Sequence, residues 1–274
     1  MTLAEVLLLV VVALVAGAVG YLAAVVRTGR QRDRAVVRTA QLEARLAAAD
    51  DAAMVAARRD VLTSGLYDAL TAGLVDVVER VEAPPGCVVD VGAGTGHHTA
   101  AVLDALPRRV GLALDLSVYA ARRAAKAHPR LAAVVADVWE GLPVRDGAAG
   151  VVLDVFAPRN VAEFARVLAP GGAVVVVTPA PAHLTELVTA LAMPRVDPRK
   201  AERLAETFAD FTHGPTHAVR ETLRVSGAVA ASLAGMGPAA HHVSPAALEE
   251  FAVRRDEVAV TFAVDVAAFV RPRG

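Results

Sequence analysis

The chain has 274 residues, 55% of them hydrophobic and 4% aromatic, and its formal net charge is −1. This length allows one large α/β domain and one further segment. A charge so close to zero lacks the excess of basic residues that is typical of nucleic-acid binders, although local basic clusters can still exist. Cys87 is the only cysteine of the sequence, which excludes a disulfide framework and a cysteine-based zinc site within it.

The first segment is apolar. Residues 6–26 include no charged side chain, and a helix that crosses a membrane needs roughly 20 such residues. Glu5 precedes this run, and five arginines follow it: Arg27, Arg30, Arg32, Arg34 and Arg38. Because positive charge is retained on the cytoplasmic side, we predict a single-pass transmembrane helix in residues 1–26, with the rest of the chain on the cytoplasmic side of the cell membrane. The alternatives are a buried helix or an incorrectly assigned start, with the protein in the cytoplasm.

A polar, helix-prone stretch follows at residues 27–59, where we predict a linker, and the folded domain is predicted at 60–274. The predicted strands are 87–91, 110–114, 132–136, 150–155 and 173–178, and the predicted helices between them are 95–106, 119–128 and 161–168. Fully apolar strands that alternate with helices predict a parallel sheet covered on both faces. Near the end of the chain, "HAVRETLRVS" and "EVAVTFAVDVAAFV" predict two more strands. We expect them to close a mostly parallel, seven-stranded sheet as an antiparallel hairpin.

A glycine loop follows the first predicted strand in "VVDVGAGTG". Such a loop between a strand and a helix presents backbone N–H groups at the carboxyl end of the strand. Gly92, Gly94 and Gly96 give G-x-G-x-G, whereas the dinucleotide fingerprint is G-x-G-x-x-G. The pattern resembles motif I of methyltransferases that use S-adenosylmethionine (SAM). This resemblance implies that the methionine part of SAM lies across the loop and that Asp90 favours its ammonium group.

Acidic residues also end the next two predicted strands. Asp115, followed by Leu116, ends the second strand, where a carboxylate can accept hydrogen bonds from both ribose hydroxyls. Asp137 follows the third strand, and the methyltransferase pattern implies that it accepts from the adenine amino group while Val138 packs against the ring. Each aspartate alone could be a loop or helix cap. Three of them at successive strand ends, in this order, favour SAM binding.

The fourth predicted strand ends in "VVLDVFAPRN". In the methyltransferase fold the end of this strand faces the methyl group, so Phe156 is a candidate wall of the acceptor pocket. Asp154 lies within the strand, either as a partner buried in the sheet or as a functional carboxylate.

Four stretches narrow the resemblance: "AAMVAARRDVLTSGLYDAL", "DVFAPRNVAEFARVLAPGGAVVVVTPAPAHLTEL", "DPRKAERLAE" and "AGMGPAAHH". In this order they resemble the 23S ribosomal RNA guanine-N1 methyltransferases, from about residue 53 to the end of the chain. The resemblance implies a Rossmann-like class I fold, SAM as the cofactor and ribosomal RNA as the acceptor. The positions that match the family's blocks are Gly65, Tyr67, His97, His98, Pro179, His183, Glu186, Met236, Gly237, Pro238 and His241. Of these, Tyr67 and His98 are expected to line the SAM pocket.

The sequence also departs from this family. The family's cysteine-rich zinc ribbon has no counterpart here, and the Ser-Lys pair that follows the second strand's aspartate is Ser117-Val118. If the acceptor is guanine N1, a proton must leave that nitrogen, and His183 and Asp154 are the candidate acceptors. His183 could instead only shape the pocket. The histidines show no metal-ligand spacing, so no metal is expected. Two alternatives remain: a methyltransferase of this fold that acts at the membrane on a small molecule, lipid or protein, and a non-enzymatic SAM-binding module.

Overall fold

The computed structural model describes residues 52–236 and 243–273. The predicted transmembrane helix at 1–26, most of the predicted linker, and the candidate positions Gly237, Pro238 and His241 lie outside the described residues. Among the residues that are described, no helix has both the length and the apolar character needed to cross a membrane. The compact unit to which the described residues belong extends from Asp50 to Gly274.

The described residues form a seven-stranded sheet with the order β3-β2-β1-β4-β5-β7-β6. The strands are β1 (Cys87–Val91), β2 (Gly111–Asp115), β3 (Leu131–Val135), β4 (Ala149–Val155), β5 (Leu168–Pro179), β6 (Thr212–Val225) and β7 (Val258–Val270). Strands β1 to β5 are parallel, whereas β7 pairs antiparallel with both β5 and β6. The predicted Rossmann-like α/β fold with a seven-stranded mixed sheet is therefore confirmed.

The helices precede or connect these strands. They are α1 (Ala52–Leu62), α2 (Asp68–Arg80), α3 (His97–Ala105), α4 (Val118–Ala124), α5 (Val161–Val167), α6 (Thr185–Ala190), α7 (Lys200–Thr207), α8 (Gly227–Gly235) and α9 (Pro245–Val253). A short 3-10 helix, Val138–Glu140, lies between β3 and β4. The antiparallel pairing of β6 with β7 agrees with the sequence, but the predicted hairpin is wrong, because α8 and α9 lie between the two strands.

Alternate residues of the central strands enter two separate cores. Val88, Val151 and Val175 are fully buried on the face that α2 covers with Leu70 and Leu74. The other face buries Val89, Val91, Val152 and Val174 against Phe164 of α5 and against Phe208. Burial on both faces is the reason why these strands read as continuous apolar runs. The parallel arrangement places the carboxyl ends of β1, β2 and β4 at one edge of the sheet.

Helix α1 crosses the boundary at residue 59 that the sequence suggests between linker and domain. Val55, Val61 and Leu62 are buried. The Arg58 Nη2 group also donates a hydrogen bond of 2.9 Å to the Met236 carbonyl at the end of α8. The helix is therefore packed on the domain through its apolar side chains.

Candidate active site

The glycine loop between β1 and α3 takes a backbone conformation that only glycine adopts readily. Gly92, Gly94 and Gly96 have φ angles of +68°, +55° and +75°. A Cβ atom on Gly92 would lie 2.6 Å from the Cβ of Ala157, and one on Gly96 would lie 3.0 Å from the Cα of Ala124. The loop therefore lies directly against the chain that follows β4, so that the ends of β1 and β4 share one site.

Asp115 connects the glycine loop to the end of β2. Its Oδ2 accepts a 2.8 Å hydrogen bond from the Gly94 N–H, and its Oδ1 accepts one of 2.8 Å from the Ser117 N–H. The Gly92 N–H and the Ala93 N–H both donate to the Leu114 carbonyl. A carboxylate oxygen can accept more than one hydrogen bond. Asp115 is only partly buried, so its position is compatible with hydroxyl groups of a ligand as further donors.

Asp90 lies beneath the loop and is 2% exposed. The Thr99 hydroxyl of α3 donates to its Oδ2, while its Oδ1 has no hydrogen-bond partner among the described residues. Burial raises the pKa of Asp90 to about 7, because the charged form is poorly solvated there, and the Thr99 hydrogen bond opposes this rise. The carboxyl therefore fixes α3 to β1 from below the loop.

Asp137 caps the 3-10 helix that follows β3. Its Oδ1 accepts a 2.9 Å hydrogen bond from the Trp139 N–H, which is the cap geometry that the sequence left open for this residue. Val138 is 8% exposed, and its carbonyl accepts a hydrogen bond from the Asn160 side chain. Leu116 is partly buried in the turn after β2. These residues lie at the ends of neighbouring strands, as predicted.

A row of aromatic rings runs from Tyr67, directly before α2, and His98 of α3 to the end of β4. The ring centroids of Tyr67 and His98 are 6.2 Å apart, and Tyr67 packs edge-on against Phe262 of β7 at 4.9 Å. Phe262 in turn packs edge-on against His183 at 5.2 Å. The rings of His183 and Phe156 are nearly parallel, with an angle of 22° between them and centroids 6.4 Å apart.

The first two rings of this row serve packing and not proton transfer. Tyr67 is 7% exposed, and burial raises its pKa to about 12. Burial lowers the pKa of His98 to about 3, and the Nδ1 atom of His98 lies 3.0 Å from the Thr71 hydroxyl. Both side chains are therefore neutral at pH 7.

His183 is neutral as well, and its hydrogen bond defines where the proton lies. Its Nδ1 accepts a 3.2 Å hydrogen bond from the Ala263 N–H of β7. Burial lowers its pKa to about 4, and the positive charge of Lys200 lowers it further. The single proton of the neutral ring is then on Nε2, which makes Nε2 a donor. This arrangement favours hydrogen-bond donation over the proton acceptance that the sequence suggests.

Phe156 occupies a strained position directly after β4. Its φ angle is +57°, which is uncommon for a bulky residue, and its side chain is 37% exposed. The chain turns sharply here, which leaves the ring at the edge of the sheet and not in the core. Residues that keep such strain cluster at functional sites.

Asp154, two residues earlier, is fully buried. Burial raises its pKa to about 7, and the Arg159 guanidinium and the Ala157 amide oppose this rise. The Arg159 Nη2 lies 3.3 Å from Asp154 Oδ1, but neither carboxyl oxygen has a well-aligned hydrogen-bond donor among the described residues. The structure therefore places an incompletely paired carboxyl group next to the strained end of β4.

Comparison with known proteins identifies the family. Residues 88–172 match the family model of a methyltransferase domain. The chain is 47% identical over 201 residues to the 23S rRNA (guanine(748)-N(1))-methyltransferase of Streptomyces fradiae, over 72% of each chain. It is 45% identical over 236 residues, 80% of each chain, to a Micromonospora griseorubida protein named "Putative 23S rRNA (guanine-N(1)-)-methyltransferase". The chain belongs to the 23S rRNA guanine-N1 methyltransferase family.

This methyltransferase also resembles solved structures. One is a "Putative Type II Methyltransferase" from Anaeromyxobacter dehalogenans, which has a TM-score of 0.51, is 19% identical and covers 74% of this chain and 96% of its own. At such low identity the likeness supports the fold alone. Family membership establishes that the enzyme is SAM-dependent.

The residues at the carboxyl edge fit SAM. The loop of Gly92, Gly94 and Gly96 leaves no room for side chains at its two ends, which allows a ligand to approach the backbone closely. Asp115 places a carboxylate at the end of the neighbouring strand, where a ribose would lie beside such a loop.

Three residues of this edge were not given these roles by the sequence. Thr99 is in the first turn of the helix after the loop. Its separation from Asp90 in the sequence could have suggested the hydrogen bond between the two side chains. Arg159 follows Phe156 by three residues, but its ion pair with Asp154 depends on the turn after β4. Phe262 is one of many apolar residues of β7, and nothing local distinguishes it.

Proposed function

We propose that the enzyme transfers the methyl group of SAM to N1 of a guanine in 23S ribosomal RNA. The names of the two relatives from Streptomyces fradiae and Micromonospora griseorubida support this acceptor. The observation that carries the proposal is the nearly parallel pair of rings, Phe156 and His183, beside the glycine loop. Stacking on aromatic rings is the usual way in which proteins hold an unpaired RNA base.

We propose the following cofactor contacts. The glycine loop supports the methionine part of SAM, with Asp90 beneath it, and Asp115 accepts from the ribose hydroxyls. Asp137, with Val138 and Leu116, lies where the adenine would bind. Tyr67 and His98 close the pocket from α2 and α3. The support for these roles is the position of each residue at the carboxyl ends of β1, β2 and β3 or in the aromatic row.

The acceptor base is proposed to stack against Phe156. The ring is exposed and held by a strained backbone, so it loses little freedom when a base binds. Base–aromatic stacking contributes about 1–3 kcal/mol to binding. His183 lies nearly parallel to Phe156 and directs its Nε2–H donor toward no described acceptor. We propose that this donor binds the guanine O6.

SAM supplies an electrophilic methyl group to the nucleophilic nitrogen. Loss of the N1 proton leaves a negative charge that N1 and O6 share, and transfer of the methyl group to N1 neutralises this charge. A hydrogen bond from His183 Nε2 stabilises this charge. We propose Asp154 as the proton acceptor, because its pKa of about 7 leaves a large fraction of it as carboxylate at neutral pH. Asp154 is fully buried, so Arg159 must move for the base to reach it.

The direct test incubates the purified enzyme with SAM and a 23S rRNA transcript that carries no modification. Digestion to nucleosides and mass spectrometry should show N1-methylguanosine, and mapping should place it at one guanine. Methylation of another atom, or no transfer to RNA while SAM binds, would contradict the proposed acceptor.

Two variants of His183 distinguish the role of its Nε2 donor from that of its Nδ1 acceptor. In His183→Gln the side-chain amide can still donate from the position of Nε2, whereas in His183→Asn only the acceptor near Nδ1 is kept. We expect kcat to fall about tenfold more in the Asn variant than in the Gln variant, with similar SAM affinity. Equal losses in both variants would show that His183 only shapes the pocket.

We also propose that residues 6–26 cross the cell membrane and that the catalytic domain, at about residues 60–274, lies on the cytoplasmic side. The support is the uncharged run and the arginines that follow it. The test compares cell fractions: the full chain should sediment with membranes, and a chain that starts at Arg34 should not. A full chain found wholly in the soluble fraction would contradict the anchor and favour the cytoplasmic alternative.

A further inference from the structure

A cavity of about 470 Å³ lies beside the carboxyl ends of β4 and β5. We call it the basic pocket, because four of its lining residues are cationic: Arg159, Arg195, Lys200 and Arg203. Three separate parts of the chain supply them, since Arg159 follows β4, Arg195 lies between α6 and α7, and the other two are on α7. A set of cations that converges from separate segments on one cavity differs from a charged face of a single helix.

The charges in the basic pocket are incompletely compensated. Arg203 pairs with Asp197 at 2.7 Å, which is the one carboxylate among the lining residues. Arg195 and Lys200 have no ion-pair partner in the described part of the chain. The Arg159 Nε is buried and likewise has no acceptor among the described residues. An anion in the pocket would compensate the charges of Arg195 and Lys200.

The pKa of Lys200 reflects the same excess of positive charge. Burial and the neighbouring Arg159 charge lower its pKa, although Asp154 and Asp197 oppose this. Two cations that repel each other across a cavity gain most from a shared anion. A phosphate suits such a site better than a carboxylate, because its oxygens point in several directions and arginine forks bind two of them at once.

The basic pocket lies close to the proposed base site. Thr178 lines the pocket and directly follows Val177, whose carbonyl accepts a hydrogen bond from the Phe156 N–H. Lys200 is also close enough to His183 to lower its pKa. A nucleotide whose base stacks on Phe156 would therefore have its backbone within reach of the pocket.

We propose that the basic pocket binds a phosphate group of the RNA strand that carries the target guanine. This inference rests on the proposed function for the source of the phosphate, but the site itself follows from the cations and the cavity. The contact would position the strand, because phosphate contacts fix register and carry no sequence information.

The test uses the full chain with a double variant, Arg195→Gln and Lys200→Gln. The matched control is Arg224→Gln with Arg254→Gln, which removes two charges that are exposed and paired with Glu257 and Glu250, away from the pocket. For RNA methylation we expect the pocket variant to raise KM for the 23S rRNA transcript about tenfold. The slope of log affinity for RNA against log salt should also fall by about one. The control variant should change neither, and SAM affinity should be the same in all three proteins.

A second arm is independent of RNA methylation. Inorganic pyrophosphate is titrated into each protein by calorimetry, and we expect binding to the original chain and the control variant but at least tenfold weaker binding to the pocket variant. Equal pyrophosphate binding by all three proteins would overturn the pocket as a phosphate site. So would a loss of SAM affinity in the pocket variant, because the cations would then hold the cofactor.

The two arms also separate the sources of the phosphate. If pyrophosphate binds through the pocket but no RNA is methylated, the site is confirmed and RNA as its source is rejected. If RNA is methylated with an unchanged KM in the pocket variant, the proposed function stands and the RNA phosphate contact is overturned.

Discussion

The carboxyl end of the sheet has two halves that are built differently. One half, which we call the cofactor edge after its proposed role, lies at the ends of β1 and β2 and consists of the loop Gly92–Gly96 with Asp90 and Asp115. Most of its hydrogen bonds are donated by backbone N–H groups of the loop and of the turn after β2. The acceptor edge, at the ends of β4 and β5, consists of Asp154, Phe156, Arg159 and His183. His183 depends there on β7, which lies far away in the sequence, and Phe156 is strained. Each edge holds a buried carboxyl group, Asp90 or Asp154, with an oxygen that has no hydrogen-bond partner among the described residues.

This difference shows which contacts fix the geometry of each half. The cofactor edge is held by a backbone conformation, so it is rigid once β1 and β2 pair. At the acceptor edge, the N–H of Ala263 in β7 fixes the tautomer of His183, and the charge of Asp154 is compensated by Arg159 and by the Ala157 amide. We therefore expect substitutions at the cofactor edge to disturb folding and SAM binding together, and substitutions at the acceptor edge to affect RNA methylation and pH dependence.

The largest effect is expected from Gly92→Ala. The substitution forces an alanine into φ +68° and places its Cβ 2.6 Å from the Cβ of Ala157. Backbone strain of about 1 kcal/mol and overpacking of about 2 kcal/mol should lower the free energy of unfolding by about 3 kcal/mol in total. SAM affinity should fall by more than tenfold, as measured by calorimetry.

Gly147→Ala is the matched control for this loss. Gly147 has a similar φ of +65°, but a Cβ there would meet nothing within 4 Å. The Gly147→Ala variant should lose only about 1 kcal/mol of stability and keep its SAM affinity. Equal losses in the two variants would show that the contact between the loop and Ala157 is unimportant.

The next effect is expected from Asp115→Asn. The amide can accept only through its oxygen, so its NH2 group would face one of the two donors, Gly94 N–H or Ser117 N–H. Because the proposed contact with the ribose would also be weakened, SAM affinity should fall about 10- to 100-fold, since hydrogen bonds to charged groups contribute about 1.5–3 kcal/mol. Asp104→Asn, on the exposed side of α3, should leave SAM affinity unchanged. A normal affinity in Asp115→Asn would remove Asp115 from the proposed cofactor site.

At the cofactor edge, the sequence predicted well where the residues lie in the fold, whereas their cofactor contacts stay a prediction. A glycine loop and the strand-end aspartates are local patterns, and the order of the parallel strands follows from repeated strand–helix units. The two helices between β6 and β7 were missed, although Ser226 and Ser244 cap them through side-chain hydrogen bonds and Pro245 begins the second one. These cap signals stand within an alanine-rich stretch that obscures the helical period.

The acceptor edge was predicted only in part, and the reason is physical. The sequence placed Phe156 and Asp154 at the end of β4, but the donor state of His183 depends on an N–H group 80 residues later. The contribution of Phe262 depends on how β7 inserts beside β5. Tertiary contacts of this kind leave no periodicity or motif.

A smaller effect concerns the pH dependence of stability at the acceptor edge. The pKa of Asp154 is about 7 in the folded protein, above its value of about 4 in an unfolded chain. Between pH 4 and pH 7 the folded state therefore keeps a proton that the unfolded state releases, so stability falls as the pH rises through this window and levels off above it. Asp154→Asn stays neutral, so it should reduce this slope and be more stable than the original chain at pH 8.

Urea unfolding at several pH values measures this effect. Asp90 has a similar pKa and should supply the slope that remains in the Asp154→Asn variant. If Asp154→Asn is less stable than the original chain at pH 8, the ion pair with Arg159 outweighs the cost of burying the carboxylate.

The smallest effect is expected from Thr99→Val, because the two buried carboxyl groups have different partners. Thr99 donates to Asp90, a neutral partner, whereas Arg159 is a charged one. Thr99→Val removes a hydrogen bond that favours the ionised carboxyl, so the pKa of Asp90 should rise above about 7. The variant should therefore lose about 1 kcal/mol more stability at pH 8 than at pH 5, because hydrogen bonds to charged groups are stronger than neutral ones. Thr99→Ser keeps the hydroxyl and should show no such difference between the two pH values. The same loss at both values would mean that Asp90 remains protonated up to pH 8, which would separate it from Asp154 as a group that does not titrate near neutrality.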